Sequence, residues 1–179
     1  MNRRVLVYTC VFGGYDRIYP PVREEPEIDY VLVSDDPTMQ VRGWRTLAVD
    51  PNRFETAKAP NRYFKMLGHR KELAGYDVSI YVDGNIRVIG CIGELVSRFI
   101  ATGAAFASFR HPHRHSVQEE AARCLSAGKL TDAAKLQAEL DEFRSDGFPD
   151  RQGLMETGVV LKNHTHPDLE AAMDLWWRL

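Results

Sequence analysis

The most constraining feature of the chain is a run of short, β-branched, apolar segments that stop abruptly at glycine or acid. Val5-Leu6-Val7-Tyr8-Thr9-Cys10-Val11-Phe12 is apolar at odd and even positions alike and ends at Gly13-Gly14. A strand with one wet face alternates, so a run that does not alternate reads as a strand buried on both faces. Tyr30 to Val33 repeats the pattern and halts at Ser34-Asp35-Asp36-Pro37, and Val78 to Val82 halts at Asp83-Gly84-Asn85. Trp44 to Val49, Ala104 to Phe109 and Thr157 to Leu161 read as further strands, and Ile86 to Ile89 as an extension beyond the Asp83 turn.

Helical patterns lie between these strands. Pro60 suits the first turn of a helix through Leu67, and Ile92 to Ile100 shows helical spacing. Ser116 and Glu119 form a capping box before Ala121-Ala122. A further helix has Thr131 as its expected N-cap, Ala133, Leu136, Leu140 and Phe143 on one face and Gly147 as its stop. Pro167 opens a last helix, with Leu169, Ala172, Met173 and Trp176 on one stripe, that is still amphipathic at Leu179. The alternation predicts an α/β fold, a three-layer α/β/α sandwich on a mainly parallel sheet. A length of 179 residues predicts a single domain over 1–179, with the abrupt C-terminus pointing to truncation.

Composition removes several classes of function. The net charge of −2 gives no electrostatic case for nucleic acid or an anionic membrane. A mean hydropathy of −0.34 and the lack of a long apolar stretch predict no transmembrane segment. Met1 to Arg4 is too weakly followed for a secretory signal, and three scattered cysteines do not make a disulfide framework. The expectation is a cytoplasmic protein.

In parallel sheets, ligands gather at the carboxyl ends of strands, and there the polar clusters of this sequence fall. Asp83 and Asn85 flank Gly84, so two oxygen-bearing side chains can converge on a hard cation, although on residue chemistry alone a plain turn is the commoner explanation of the triplet. Asp35 and Asp36 could bind a base or ribose or simply form a turn. Gly13-Gly14 lacks any phosphate-loop pattern. Arg62 and Lys65, three apart on one helical face, could neutralise phosphates. His111, His113 and His115 alternate as a zinc site would require, while Arg110 and Arg114 could grip phosphate or a sugar carboxylate in a bidentate manner. Glu156 stands at the start of a late strand, and His164 or His166 could complete a metal shell with Asp83.

Taken in order, Tyr8 to Asp16, Asp29 to Asp36, Ser79 to Ile86, Phe109 to Arg114, Glu119-Glu120-Ala121, Gly147-Phe148-Pro149, Gly153 to Glu156 and Leu175-Trp176-Trp177 resemble the glycosyltransferase-like domain family named for plant turgor-regulation and seed-mucilage proteins. That family is similar to GT-A nucleotide-sugar transferases, whose acidic DxD-type motif holds a divalent metal against the sugar-nucleotide diphosphate. The resemblance implies that Thr9, Phe12, Gly13, Gly14, Tyr15, Asp35 and Asp36 line the nucleoside pocket. It puts Asp83-Gly84-Asn85 at the DxD position, holding Mn²⁺ or Mg²⁺ with His164 or His166 as a late ligand. Arg62 and Lys65 would face the diphosphate, and Glu156 would approach the donor sugar or acceptor.

The expected activity is transfer of a hexosyl or uronosyl group from a UDP-sugar to a glycan in polysaccharide synthesis, with Asp83 and Glu156 as the catalytic pair. Asn85 departs from the motif by removing one carboxylate. Two other readings stand beside it. One is a metal-dependent hydrolase on His111, His113 and His115, and the other a non-catalytic nucleotide- or glycan-binding module. Oligomeric state is not encoded in any of these motifs.

Overall fold

The computed structural model describes residues 3–56, 59–130, 132–148 and 153–178. It comprises two compact units, Met1–Ser108 with Gly158–Leu179, and Phe109–Thr157. The chain leaves the first unit after Ser108 and returns to it at Gly158.

In the first unit, β1 (Val5–Val11), β2 (Ile28–Ser34), β3 (Arg45–Ala48) and β4 (Val78–Val82) run parallel, and β6 (Met155–Asn163) pairs with β4 antiparallel. With β5 (Phe106–Arg110) the strand order is β3-β2-β1-β4-β6-β5. The last two strands carry the chain into and out of the second unit. Ile86 to Ile89, expected as extended strand, is irregular loop instead.

The doubly apolar runs behave as their composition requires. Val5, Val7 and Val11 of β1, with Ile28, Tyr30, Val78 and Ile80, face one way and pack under Val96 and Phe99 of α2 (Ile92–Ala101). Leu6, Tyr8 and Cys10, with Val31, Val33 and Tyr81, face the other way and pack on Phe64 of α1 (Ala59–Leu67). Successive side chains on a strand point to opposite faces, so one apolar run supplies two cores. Leu169 and Met173 of α5 (Leu169–Arg178) close a third cluster against Met66 and Leu67. With helices on both faces of the sheet, the three layers are those the sequence implied.

A distant residue starts α2. Glu25, from the loop before β2, accepts the N–H groups of Ile92 at 2.5 Å and Gly93 at 3.0 Å, orphan donors of the first helical turn. Partial burial pushes the Glu25 carboxyl up, but these two bonds together with the Cys91 thiol and the Arg23 charge outweigh it and hold the group below its ordinary value.

The second unit holds α3 (Val117–Ser126) and α4 (Ala133–Ser145). Half of the expected capping box is present: Ser116 Oγ accepts the Glu119 N–H at 3.1 Å, but the Glu119 carboxylate accepts the His115 N–H at 2.7 Å rather than that of the N-cap Ser116. The N-cap of α4 is Asp132, whose Oδ1 accepts the Lys135 N–H at 2.9 Å. Thr131, the expected cap, and Pro149 of the family motif lie outside the described residues.

Candidate functional site

In the first unit, the carboxyl ends of β2, β1 and β4 open on one rim. Register sets Val11 beside Ser34 and Tyr8 beside Tyr81, so Gly13 follows β1 between Asp35 and Asp83. Two strand spacings separate the outer positions, about 10 Å.

Gly13 and Gly14 turn the chain at φ +65° and +63°. A Cβ at either would meet nothing within 4 Å, so glycine serves backbone conformation here rather than close approach. Asp35 fixes the turn by accepting the Gly13 N–H at both carboxylate oxygens (3.1 and 2.9 Å). Beside it lies a cavity of about 410 Å³ lined by Phe12, Gly13, Asp35, Asn52, Phe54 and Pro60, among others. Its aromatic wall is braced from behind. Phe12 stacks on Phe64 at 6.1 Å, and the Arg53 guanidinium lies 4.7 Å over Phe54 while pairing with Glu72 at 2.6 Å.

Thr9 does not line this cavity. It is 1% exposed and, two residues from Val7 and Val11, points to the α2 face, whereas Phe12 points to the α1 face. Asp36 spends its Oδ1 on the backbone N–H and hydroxyl of Thr38 (2.8 and 2.6 Å), an Asx turn that lowers its pKa. Tyr15 is 90% exposed.

Further along the rim is a polar cluster around Asp83. Its backbone N–H donates to Gly158 O at 2.7 Å and its carbonyl accepts from Ile86 N at 2.9 Å, which forms the turn. Its Oδ1 lies 2.7 Å from the Tyr81 hydroxyl and 3.4 Å from Lys65 Nζ. The side chain keeps 38% of its surface exposed, so the carboxylate is open to solvent. Tyr81 Oη is also 2.8 Å from Asn61 Oδ1. One proton cannot serve two acceptors, and the carboxylate is the stronger. The Asn61 amide, turned so that its NH₂ meets the hydroxyl oxygen, completes the chain. Burial pushes the Tyr81 phenol far up, reinforced by Cys10 and Asp83, so it remains a donor.

Sequence reasoning missed Asp16 as a site residue. A Cβ on Gly84 would stand 2.7 Å from Asp16 Cβ and 2.8 Å from its Oδ2, so Gly84 is the flat surface on which Asp16 packs. A Cβ on Gly158 would stand 3.3 Å from Asp83 Oδ2. The acid after Gly13-Gly14-Tyr15 was the available signal, but only the tertiary fold pairs it with Gly84.

Other expected site residues lie elsewhere. Arg62 Nη2 donates to the carbonyls of Trp177 (3.0 Å) and Trp176 (3.4 Å), and its guanidinium stacks over the Trp177 ring. Its charge serves the carboxyl end of α5, where carbonyls lack partners, rather than the Asp83 rim. His164 follows β6, with its N–H on Asp77 O and its ring on Ser79 Oγ at 2.8 Å. Asp77 precedes β4 and Asp83 follows it, so the two lie about 20 Å apart along the strand. His166 Nδ1 accepts the Asp168 N–H at the start of α5. Neither histidine reaches Asp83, because β6 runs antiparallel and ends at the opposite edge of the sheet.

In the second unit, His111 is 7% exposed, and its Nδ1 accepts the N–H groups of His113 (3.1 Å) and Arg114 (3.0 Å). The histidine triplet is a turn, with His113 and His115 on the surface. Arg114 pairs with Glu120, Arg110 lies against Gly153, and Glu156 is exposed on β6. Among the described residues, no three His, Cys, Asp or Glu side chains converge as a metal cage. What the rim offers a hard cation is the Asp83 carboxylate, the Asp16 carboxylate packed on Gly84, and the exposed Asn85 amide. That donor chemistry fits Mg²⁺ or Mn²⁺, which bind through one or two carboxylates completed by substrate phosphates.

The family model for the TOD1/MUCI70 glycosyltransferase-like domain matches residues 1–168. The chain belongs to that family. This glycosyltransferase-like domain is similar in fold to the apo crystal structure of mouse xyloside xylosyltransferase 1, with a TM-score of 0.50 and 11% identity over 96% of this chain and 72% of the other. A second structure, the 2-C-methyl-D-erythritol 4-phosphate cytidylyltransferase of Thermus thermophilus, matches over 100% of both chains at 14% identity, but its TM-score of 0.33 carries no argument. No curated protein matches the sequence.

Proposed function

We propose that this domain transfers a sugar from a nucleotide-sugar donor, with a uridine diphosphate carrier, to a glycan acceptor. The observation that carries the reading is the division of the rim. An aromatic-walled cavity lies at the ends of β1 and β2 beside Asp35, and an acidic cluster with an ammonium lies at the end of β4, with Asp35 and Asp83 two strand spacings, about 10 Å, apart. A nucleoside diphosphate has that polarity and that reach. Phe12 and Phe54 offer faces for a base, and the Gly13 turn held by Asp35 forms the edge of the same cavity.

Asp83, Asp16 and Asn85 would hold Mn²⁺ or Mg²⁺ against the diphosphate. When bound, the ion supplies positive charge to the oxygens on which negative charge develops as the glycosidic bond breaks. Lys65, seated by Asp83 and lying 5.0 Å over the Tyr81 ring, brings a second positive charge to the same oxygens. Tyr81 holds the Asp83 carboxylate in place, and Asn61 holds Tyr81.

Calorimetric titration with UDP, CDP and GDP in the presence of Mn²⁺ tests the reading, followed by a search for donor hydrolysis. Binding of UDP that is lost in Asp83→Ala is expected. Failure of every nucleoside diphosphate to bind the full chain would overturn it. Binding without turnover of any donor would instead support a non-catalytic nucleotide-binding module, the reading favoured by Asn85 standing in place of a second motif carboxylate.

A further inference from the structure

The interior of the first unit holds a lysine that the site as described does not use, its ammonium pKa pulled down to about 7 by burial. Lys162, the next-to-last residue of β6 and opposite Ser79, is 0% exposed and has no carboxylate partner among the described residues. Its Nζ donates to the Tyr8 hydroxyl at 2.8 Å, to Lys65 O at 3.0 Å and to Met66 O at 3.5 Å, and it lies 5.3 Å from the Tyr8 ring centroid. The Tyr8 hydroxyl in turn donates to Phe64 O at 2.9 Å. Phe64, Lys65 and Met66 form the last turn of α1, where helical carbonyls have no intrahelical donor and the helix dipole is negative.

One buried ammonium and one phenol therefore satisfy three successive orphan carbonyls and tie the end of α1 to the centre of the sheet. Most buried lysines are paired with acids, and taking an unpaired ammonium out of water is costly. Met and Leu fill such a volume without that cost. The residues that α1 presents to the rim lie within this turn and the one before it: Lys65 is itself the clamped residue, and Asn61 is one turn back. Lys65 reaches Asp83 across 3.4 Å, a pair too long to fix the helix by itself.

We propose that Lys162 is a positioning residue for the nucleotide site, whose ammonium gathers the terminal carbonyls of α1 and so sets Lys65 and Asn61 against Asp83 and Tyr81. This inference rests on the nucleotide reading above. It assigns to a residue at the interior end of α1 control over how the rim meets a diphosphate.

Two measurements on the full chain test it: backbone amide hydrogen exchange, and UDP affinity in the presence of Mn²⁺. In Lys162→Met, exchange across residues 63–70 accelerates while β1 and β4 amides keep wild-type rates, and the Kd for UDP rises about tenfold. Tyr8→Phe keeps the ammonium but removes the hydroxyl that bridges to Phe64. It gives smaller changes of the same sign, and it decides the matter should Lys162→Met not fold. A folded variant with wild-type exchange in α1 and wild-type UDP affinity overturns the proposal, as does accelerated exchange with affinity unchanged, which would leave Lys162 only a fold-holding role. A wild-type chain that binds no nucleoside diphosphate overturns the nucleotide reading itself, a result distinguishable because it appears without any substitution.

Discussion

At the scale of single residues, the rim depends on a flat contact that only glycine permits. Gly84 has no positive φ to explain it; the constraint is Asp16, 2.7 Å from where a Cβ would be. Gly84→Ala should force Asp16 aside at a cost of about 1–3 kcal/mol, read as a lower thermal midpoint, and should weaken Mn²⁺-dependent UDP binding in the same variant. Asp83→Asn is the complementary test. Its pair with Lys65 is partly exposed and long, so stability should change by no more than about 1 kcal/mol while UDP affinity falls. The turn Asp83-Gly84-Asn85 was legible in the sequence because glycine between two polar residues after an apolar run has few other uses. Asp16 was not, because nothing local links it to a glycine so far along the chain.

At the scale of elements, helix ends are finished by distant residues. Glu25→Ala removes the cap of α2 and should cost about 1 kcal/mol by denaturant titration, with Ile92 and Gly93 left to water. The opposite edge of the sheet carries a titrating pair. Burial, reinforced for both by the Lys162 charge, pushes His69 and His164 down to about 4, with their rings 5.3 Å apart. His69 donates through Nε2 to Glu170, and Arg70 grips Glu170 and Asp174, so this edge docks α5. A folded pKa below the ordinary value of 6.5 means that the unfolded chain takes up protons first. The stability held by the neutral rings is complete above about pH 6.5 and is lost as pH falls toward about 4. Thermal midpoints across that window should fall, and His164→Gln should flatten the decline; an unchanged slope would remove the pair as its cause. His164, with His166, was expected near a metal because both follow a strand, where the family resemblance implies a late ligand. The antiparallel direction of β6 sends them to the other edge, and direction is not written in an apolar run.

At the scale of the whole molecule, the two units differ in how much they bury. In the first, nearly every residue of β1, β2 and β4 is inside. In the second, the helices bury only Ala121 in α3 and Leu140 in α4, while Leu125, Leu130, Phe143 and Phe148 remain exposed. Amide exchange should therefore be slowest in β1 and β4 and much faster throughout α3 and α4, by orders of magnitude under native conditions. Equal protection in the two units would contradict this assignment of burial. The sequence showed the amphipathic pattern of α4 but could not show that its apolar face would stay largely open.

The sequence by itself determined the layering. A strand apolar at every position must be covered on both sides, and strands that alternate with helices supply the cover, so the α/β/α order and the polar carboxyl rim follow from local chemistry. Only the tertiary structure decided which polar residues share that rim. It drew Arg62 to the end of α5, sent His164 to the far edge, brought Asp16 onto Gly84 and buried Lys162 under α1. Those outcomes depend on strand direction and on which orphan carbonyls lie within reach, quantities fixed by packing across many residues and carried by no segment alone.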